Sequence, residues 1–198
     1  MKGVGPALLV LLGMFVAVES AAAFSASYDQ KITRGEDVFV SKVTILDEMF
    51  RIEAAMGGET SVTLRNRDGI YTYLPSAGVA MKLPPNAQSP RPMEHTENYP
   101  AYLKEQQAER IGADTINGYP CAVYRFTNPA TNEMTKVWVW KEREFPVKIE
   151  LKGGSGTMVI ELTNIQLGGV VPESTFQLPP GIQAVDVGSP MGVPQPQH

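Results

Sequence analysis

Two dipeptides constrain this chain more than any other feature: Asp68-Gly69 and Asn117-Gly118. Each suits the positive φ values of a type I′ turn, whose twist matches two antiparallel strands. Each also sits between short runs rich in β-branched and aromatic residues. Residues 61–65 and 70–74 flank the first, and residues 110–116 and 119–128 flank the second. Residues 37–53 hold two further runs, separated by the charged pair Asp47-Glu48. In the second run Phe50 and Ile52 point one way and Arg51 and Glu53 the other, the period of a half-buried strand. Val79, Met81 and Leu83 continue the alternation after Pro75-Ser76. Residues 134–140 and 145–151 follow, separated by the charged turn 141–144, and the glycine-rich link 153–156 leads into residues 157–167. Successive strands joined by short turns predict a mostly β fold, an antiparallel meander that must close, curl or be covered to protect its edges.

The pattern breaks between residues 83 and 100, where five further prolines interrupt any apolar spacing. This stretch reads as an irregular loop. At its end Asn98-Tyr99-Pro100 starts a helix, with Asn98 as cap and Pro100 in the first turn. The helix is predicted to run to about Arg110, with Tyr99, Tyr102, Leu103 and Gln106 on one side. After Pro180 the chain becomes rich in Pro, Gly and Gln, and residues 181–198 read as a disordered tail.

The opposite end has a different signature. Met1-Lys2 is a short positive region, residues 7–18 are apolar, and Ser20, Ala21, Ala22 and Ala23 are small. That is the three-part pattern of a cleavable export signal, too short to span a bilayer as a stable helix. Cleavage after Ala23 leaves Phe24 first. The expected organisation is a signal segment at 1–23, one β domain at 24–180 and the tail at 181–198. No later segment is long and apolar enough to be transmembrane, so an integral membrane protein is not expected. Cys121 is the one cysteine, so no intrachain disulfide can form, and a buried inert thiol is its expected role.

Composition excludes several functions. The chain carries 17 Lys+Arg against 21 Asp+Glu, a formal net charge of −4, with no basic run. It lacks the electrostatic footprint of a nucleic-acid binder. The catalytic inventory is thin. Of the two histidines, His198 is terminal and His95 sits in the proline-rich loop without further ligands nearby. The 153–156 stretch lacks the Lys-Ser/Thr ending and following helix of a phosphate loop, and Ser155 is not in a nucleophile elbow. Glu53, Glu150 and Glu161 alternate with apolar residues, as on a solvated sheet face. A non-catalytic protein is expected, and no nucleotide, metal or redox cofactor is indicated.

What stands out is apolar character on both faces of some strands. In Val137-Trp138-Val139-Trp140 neither alternate set is polar, and Cys121-Ala122-Val123-Tyr124 behaves alike. Either protein covers both faces, or one face lines a cavity open to an apolar ligand.

Several segments together resemble the LolA/LolB-like superfamily of outer-membrane lipoprotein carriers and sorting proteins. They are FSASYDQ at 24–30, FRIE at 50–53, RDGIYTYLP at 67–75 and MKLP at 81–84. NGYPCAVY at 117–124, VWVWK at 137–141 ahead of Phe145-Pro146, and FQLPPG at 176–181 complete the set. Order and spacing agree over most of the chain after the signal. The resemblance implies a curved antiparallel sheet, a half-open barrel, with a short helix and loop covering its concave side. It implies a periplasmic carrier or binding protein for an apolar ligand, a lipid or lipoprotein acyl chain, in outer-membrane biogenesis. Expected lining residues are Phe50, Ile52, Leu64, Met81, Trp138, Trp140 and Ile149, with Tyr99, Tyr102 and Leu103 as the lid. The rival expectation is an envelope protein-interaction or sensing module of the same fold, with a filled core and a protein partner instead of lipid.

Overall fold

The computed structural model describes residues 23–186, apart from 86, 88–91, 94, 95, 130, 131 and 155. The expected export signal up to residue 22, His95, Ser155 and His198 therefore lie outside the described residues. Twelve strands form a single sheet: β1 (Ser25–Arg34), β2 (Asp37–Leu46), β3 (Met49–Met56), β4 (Glu59–Asn66), β5 (Gly69–Leu74), β6 (Val79–Leu83), β7 (Glu109–Ile116), β8 (Tyr119–Thr127), β9 (Met134–Trp140), β10 (Phe145–Gly153), β11 (Gly156–Leu167) and β12 (Ala184–Asp186). The α-helix α1 (Tyr99–Glu105) lies between β6 and β7 in the chain. Spatial order is β12-β6-β5-β4-β3-β2-β1-β11-β10-β9-β8-β7, so the sheet has two edges and does not close into a barrel.

The order shows why something must cover the sheet. Strands β1 to β6 step outward one after another, and β7 to β11 step back from the far edge until β11 pairs with β1. Between β6, flanked on its outer side only by β12, and β7 at the opposite edge, the chain crosses by residues 84–108, which include α1. Hairpins form at both turn dipeptides, β4–β5 and β7–β8. The first, however, turns through Arg67-Asp68 with Gly69 already paired opposite Asn66, and without a positive φ at Asp68 it is not the expected type I′ turn. At the second, Asn117 and Gly118 take φ values of 50° and 84°, the left-handed geometry that a type I′ turn demands. Curvature comes from irregular pairing. Register shifts interrupt β1–β11 between Ser27 and Asp29, β10–β9 between Pro146 and Lys148, and β7–β8 between Arg110 and Gly112.

Paired residues share a face and neighbours along a strand alternate, which sorts the core into layers. On the first face Ala26, Tyr28, Val43, Ile45, Phe50, Ile52 and Leu162 are buried with Phe145. Val137, Val139, Ile149 and Phe126 are buried there beneath Tyr99 and Leu103 of α1. Met93, from the crossing loop, packs against both groups. The reverse face carries Cys121, Val123, Trp138 and Val147 at one side. At the other side it carries Val62, Tyr73 and Ala80, covered by Leu178, Ile182 and Ala184.

Two expectations need correction. The helix ends at Glu105 rather than near Arg110. Gln107 turns left-handed at φ 51°, the amide of Ala108 donates to the Leu103 carbonyl (2.9 Å) and that of Gln107 to Lys104 (3.1 Å). That is a Schellman stop, and Glu109 and Arg110 are already paired with β8. Likewise the sheet does not end at residue 180. Ala184–Asp186 adds a parallel strand to β6, because the exposed backbone of an edge strand offers ready partners to a chain already lying against it. The rest of the expected tail, 187–198, lies outside the described residues.

Candidate functional site: the groove beside α1

Helix α1 starts where its sequence says it should. The Asn98 side chain accepts a hydrogen bond from the Ala101 amide at 3.2 Å, and Pro100 occupies the first turn, where its missing donor costs nothing. Seven residues are too few for a helix to stand alone in water, so its position depends on Tyr99 and Leu103, both buried against the sheet. Tyr102 joins them, its ring edge-on to Phe126 with centroids 5.8 Å apart. Burial pushes the Tyr99 phenol well above its usual range, with Tyr102 adding to the shift, so the hydroxyl stays neutral. The predicted lid residues thus do lie over the sheet. They pack directly against Phe126, Val137, Val139 and Ile149.

The open space lies alongside. A groove of about 760 Å³ runs between α1 and strands β7 to β9. Its floor is Ala122, Tyr124 and Val139, with Trp140 at its border, and Leu103 and Ala108 form the helix-side wall. Lys104, Arg110, Lys141 and Glu144 stand around it, all exposed. A smaller hollow of about 290 Å³ opens on the same face under the crossing loop, between Phe24, Ile45, Phe50 and Met93.

The seven expected lining residues are not brought together. Phe50, Ile52, Met81 and Ile149 belong to the first face: Ile52 is opposite Val43, Ile149 is opposite Val137, and Met81 is opposite Thr72, itself opposite the Ile52 partner Thr63. Leu64 and Trp138 belong to the reverse face, opposite Tyr71 and Val123 respectively. Trp140 is half-buried at the end of β9, its ring tilted against Tyr119 with centroids 4.7 Å apart, and it borders the groove. Phe50 borders the smaller hollow, and Ile52 and Ile149 are core.

Trp138 shows why both faces of β9 read as apolar. Its indole N–H donates to Asp114 at 3.0 Å, and its ring lies under the ammonium groups of Lys136 (4.4 Å) and Lys148 (5.3 Å). A large ring can therefore be almost fully covered, with only 5% exposed, on a solvated face by lysine stems and a carboxylate. Accepting that bond, and one from the Thr115 amide, holds the Asp114 carboxyl below its usual range. Cys121 is fully buried in the same layer, its Sγ 3.1 Å from the Tyr119 carbonyl, and burial pushes the thiol up. The strand carboxylates are ion-paired: Glu53 with Arg51 (2.7 Å), Glu150 with Lys152 (2.9 Å) and Glu161 with Lys148 (3.3 Å). Among the described residues no cluster of His, Cys, Asp and Glu could hold a metal ion, and no helix is long and apolar enough to cross a membrane.

A protein-family model described as "Domain of unknown function (DUF4412)" matches residues 27–143. No curated protein matches the chain. An uncharacterized conserved protein from Thermus thermophilus has a similar fold, with TM-score 0.56 and 13% identity over 83% of this chain and 91% of that one. MucB, in the Pseudomonas aeruginosa MucA/MucB complex, is similar at TM-score 0.51 and 14% identity, covering 82% of this chain and 58% of that one. This chain therefore matches under two thirds of MucB. A LolA superfamily protein from Nitrosomonas europaea is matched over 79% of this chain and 90% of its own at 12% identity, and its TM-score of 0.35 is too low to argue from. The open antiparallel sheet with one helix-covered face is itself consistent with the divergent LolA/LolB-like fold that the sequence resembles.

Proposed function

Because the chain belongs to the DUF4412 family, a domain of unknown function, its role has to be read from its surfaces, and we propose that it is an exported, periplasmic binding or carrier protein for an apolar ligand such as a lipid or lipoprotein acyl chain. The observation that carries this reading is the groove of about 760 Å³ whose floor is apolar and whose wall is a seven-residue helix. Each buried CH₂ contributes roughly 0.8 kcal/mol, so shielding part of an acyl chain needs an apolar surface and little else. Movement of α1 would lengthen that surface by uncovering Val137, Ile149 and Phe126, which now lie beneath it. The reading is non-catalytic.

The test is native mass spectrometry of protein secreted with its own signal and purified from the periplasm without detergent. A bound lipid or acylated peptide that disappears in Val139→Asp supports the carrier reading. A clean apo mass with no uptake of added lipid sinks it.

A second reading has its own support. Strand β7 is an edge, eight residues long and exposed along nearly its whole length, and such an edge can accept a strand from another chain. MucB, of similar fold, has been solved in complex with MucA. An envelope protein-interaction module would bind through β7 and survive the groove substitution.

A further inference from the structure

The charge around the groove is uneven. Lys104 comes from α1, Arg110 from β7 and Lys141 from the turn after β9, and the one carboxylate among the groove residues is Glu144. Three cations thus face one anion, in a chain whose formal net charge is −4. Six cations elsewhere, Arg51, Arg65, Arg67, Arg125, Lys148 and Lys152, each hold a carboxylate within 4 Å. Lys31, Lys42, Lys82, Lys136 and Arg143 form no such pair among the described residues and are scattered rather than gathered at an apolar groove. Among the described residues no such pair involves Lys104, Arg110 or Lys141. Unpaired cations beside a surface built of Ala122, Val139 and Leu103 suit a ligand with an anionic end and an apolar body.

We propose that this groove binds single-chain anionic amphiphiles, fatty carboxylates above all, with the chain along the Leu103–Val139 surface and the head among Lys104, Arg110 and Lys141. The inference rests on the ligand-binding reading above and adds the chemistry of the head. The three cations are exposed, so each contributes modestly and the sum is sensitive to salt. An anionic head should gain roughly tenfold in affinity over a neutral one of the same chain length at low ionic strength. Glu144 works against that preference.

The experiment compares decanoate with decan-1-ol by titration calorimetry on the full mature protein. The expected result is a decanoate preference of about tenfold that shrinks with added salt. In Lys104→Gln/Arg110→Gln/Lys141→Gln the ratio should fall toward one, and in Glu144→Gln it should rise. These are surface exchanges of one polar group for another, and the opposite directions separate a head-group effect from a folding defect. Equal affinity for the two probes overturns the inference and leaves the apolar reading standing. Binding of neither overturns both. Inorganic phosphate displacing decanoate at comparable concentration would reduce the site to a plain anion site and also overturn it.

Discussion

Two segments outside the meanders cover the sheet, and they are held in different ways. On the reverse face the stretch after β11 buries Phe176 completely and receives a hydrogen bond from Asn66 Nδ2 to the Phe176 carbonyl at 3.2 Å. Glu173 pairs with Arg67 at 2.9 Å, and the stretch ends as a strand, with Ala184, Val185 and Asp186 opposite Ala80, Met81 and Lys82. On the first face α1 rests on the sheet through Tyr99, Tyr102 and Leu103, and the backbone hydrogen bonds at its ends are internal to the helix. One cover is joined to the sheet by main chain, the other sits on it by side chains. The difference predicts that the C-terminal cover completes the fold and that α1 is the cover that opens more readily.

The comparison can be broken most directly at Phe176. Phe176→Ala should cost about 3–5 kcal/mol, because a fully buried ring leaves a cavity that a backbone-anchored segment cannot collapse into. Urea unfolding measures it, and a loss below about 1 kcal/mol would mean that the C-terminal cover is not structural. Leu103→Ala should cost less, about 2–3 kcal/mol, since a helix held by side chains can settle. It sharpens the contrast through hydrogen exchange, which should accelerate in α1 and leave β12 and β6 unchanged. Parallel acceleration in both would make the two covers one cooperative unit. Asn98→Ala removes the cap and should cost about 1 kcal/mol, again read in α1 amides alone.

The smallest effect lies in pH. Asp114 has its folded pKa depressed by the Trp138 N–H, so its contribution to stability is present above the unfolded aspartate value, about 3.9, and is lost as pH falls through the folded pKa. Asp114→Asn should flatten that part of the acid unfolding profile and shift Trp138 emission. The covers should respond equally, as neither touches this carboxylate.

Much of this was legible locally. Asn117-Gly118 dictated its hairpin, Asp68-Gly69 marked one whose turn falls a residue earlier at Arg67-Asp68, Asn98 and Pro100 set the start of α1, and Phe50–Glu53 the alternation of β3. The helix end was not, because Gln107 carries no glycine to advertise a left-handed turn and the capture of Glu109 and Arg110 by β8 is tertiary. Nor could pattern decide which face of β9 looks toward α1. Two tryptophans outweigh two valines in size, yet lysine stems and Asp114 shelter Trp138 on the far side. The three-residue β12 depends wholly on the edge of β6. The groove cations come from a helix, a strand and a turn, so no window of sequence contains them together.

Strand β1 lies in the middle of the sheet yet opens the described chain. One of its partners, β2, follows after a two-residue turn, and the other, β11, begins only at residue 156. A chain made from its N-terminus must therefore hold β1 with one side unpaired until nearly everything else exists. Joining strands so distant in sequence is slow, and an unpaired strand invites other chains in the interval. The two meanders can each form early and locally, but the molecule becomes one piece only when its second-to-last strand returns to its first.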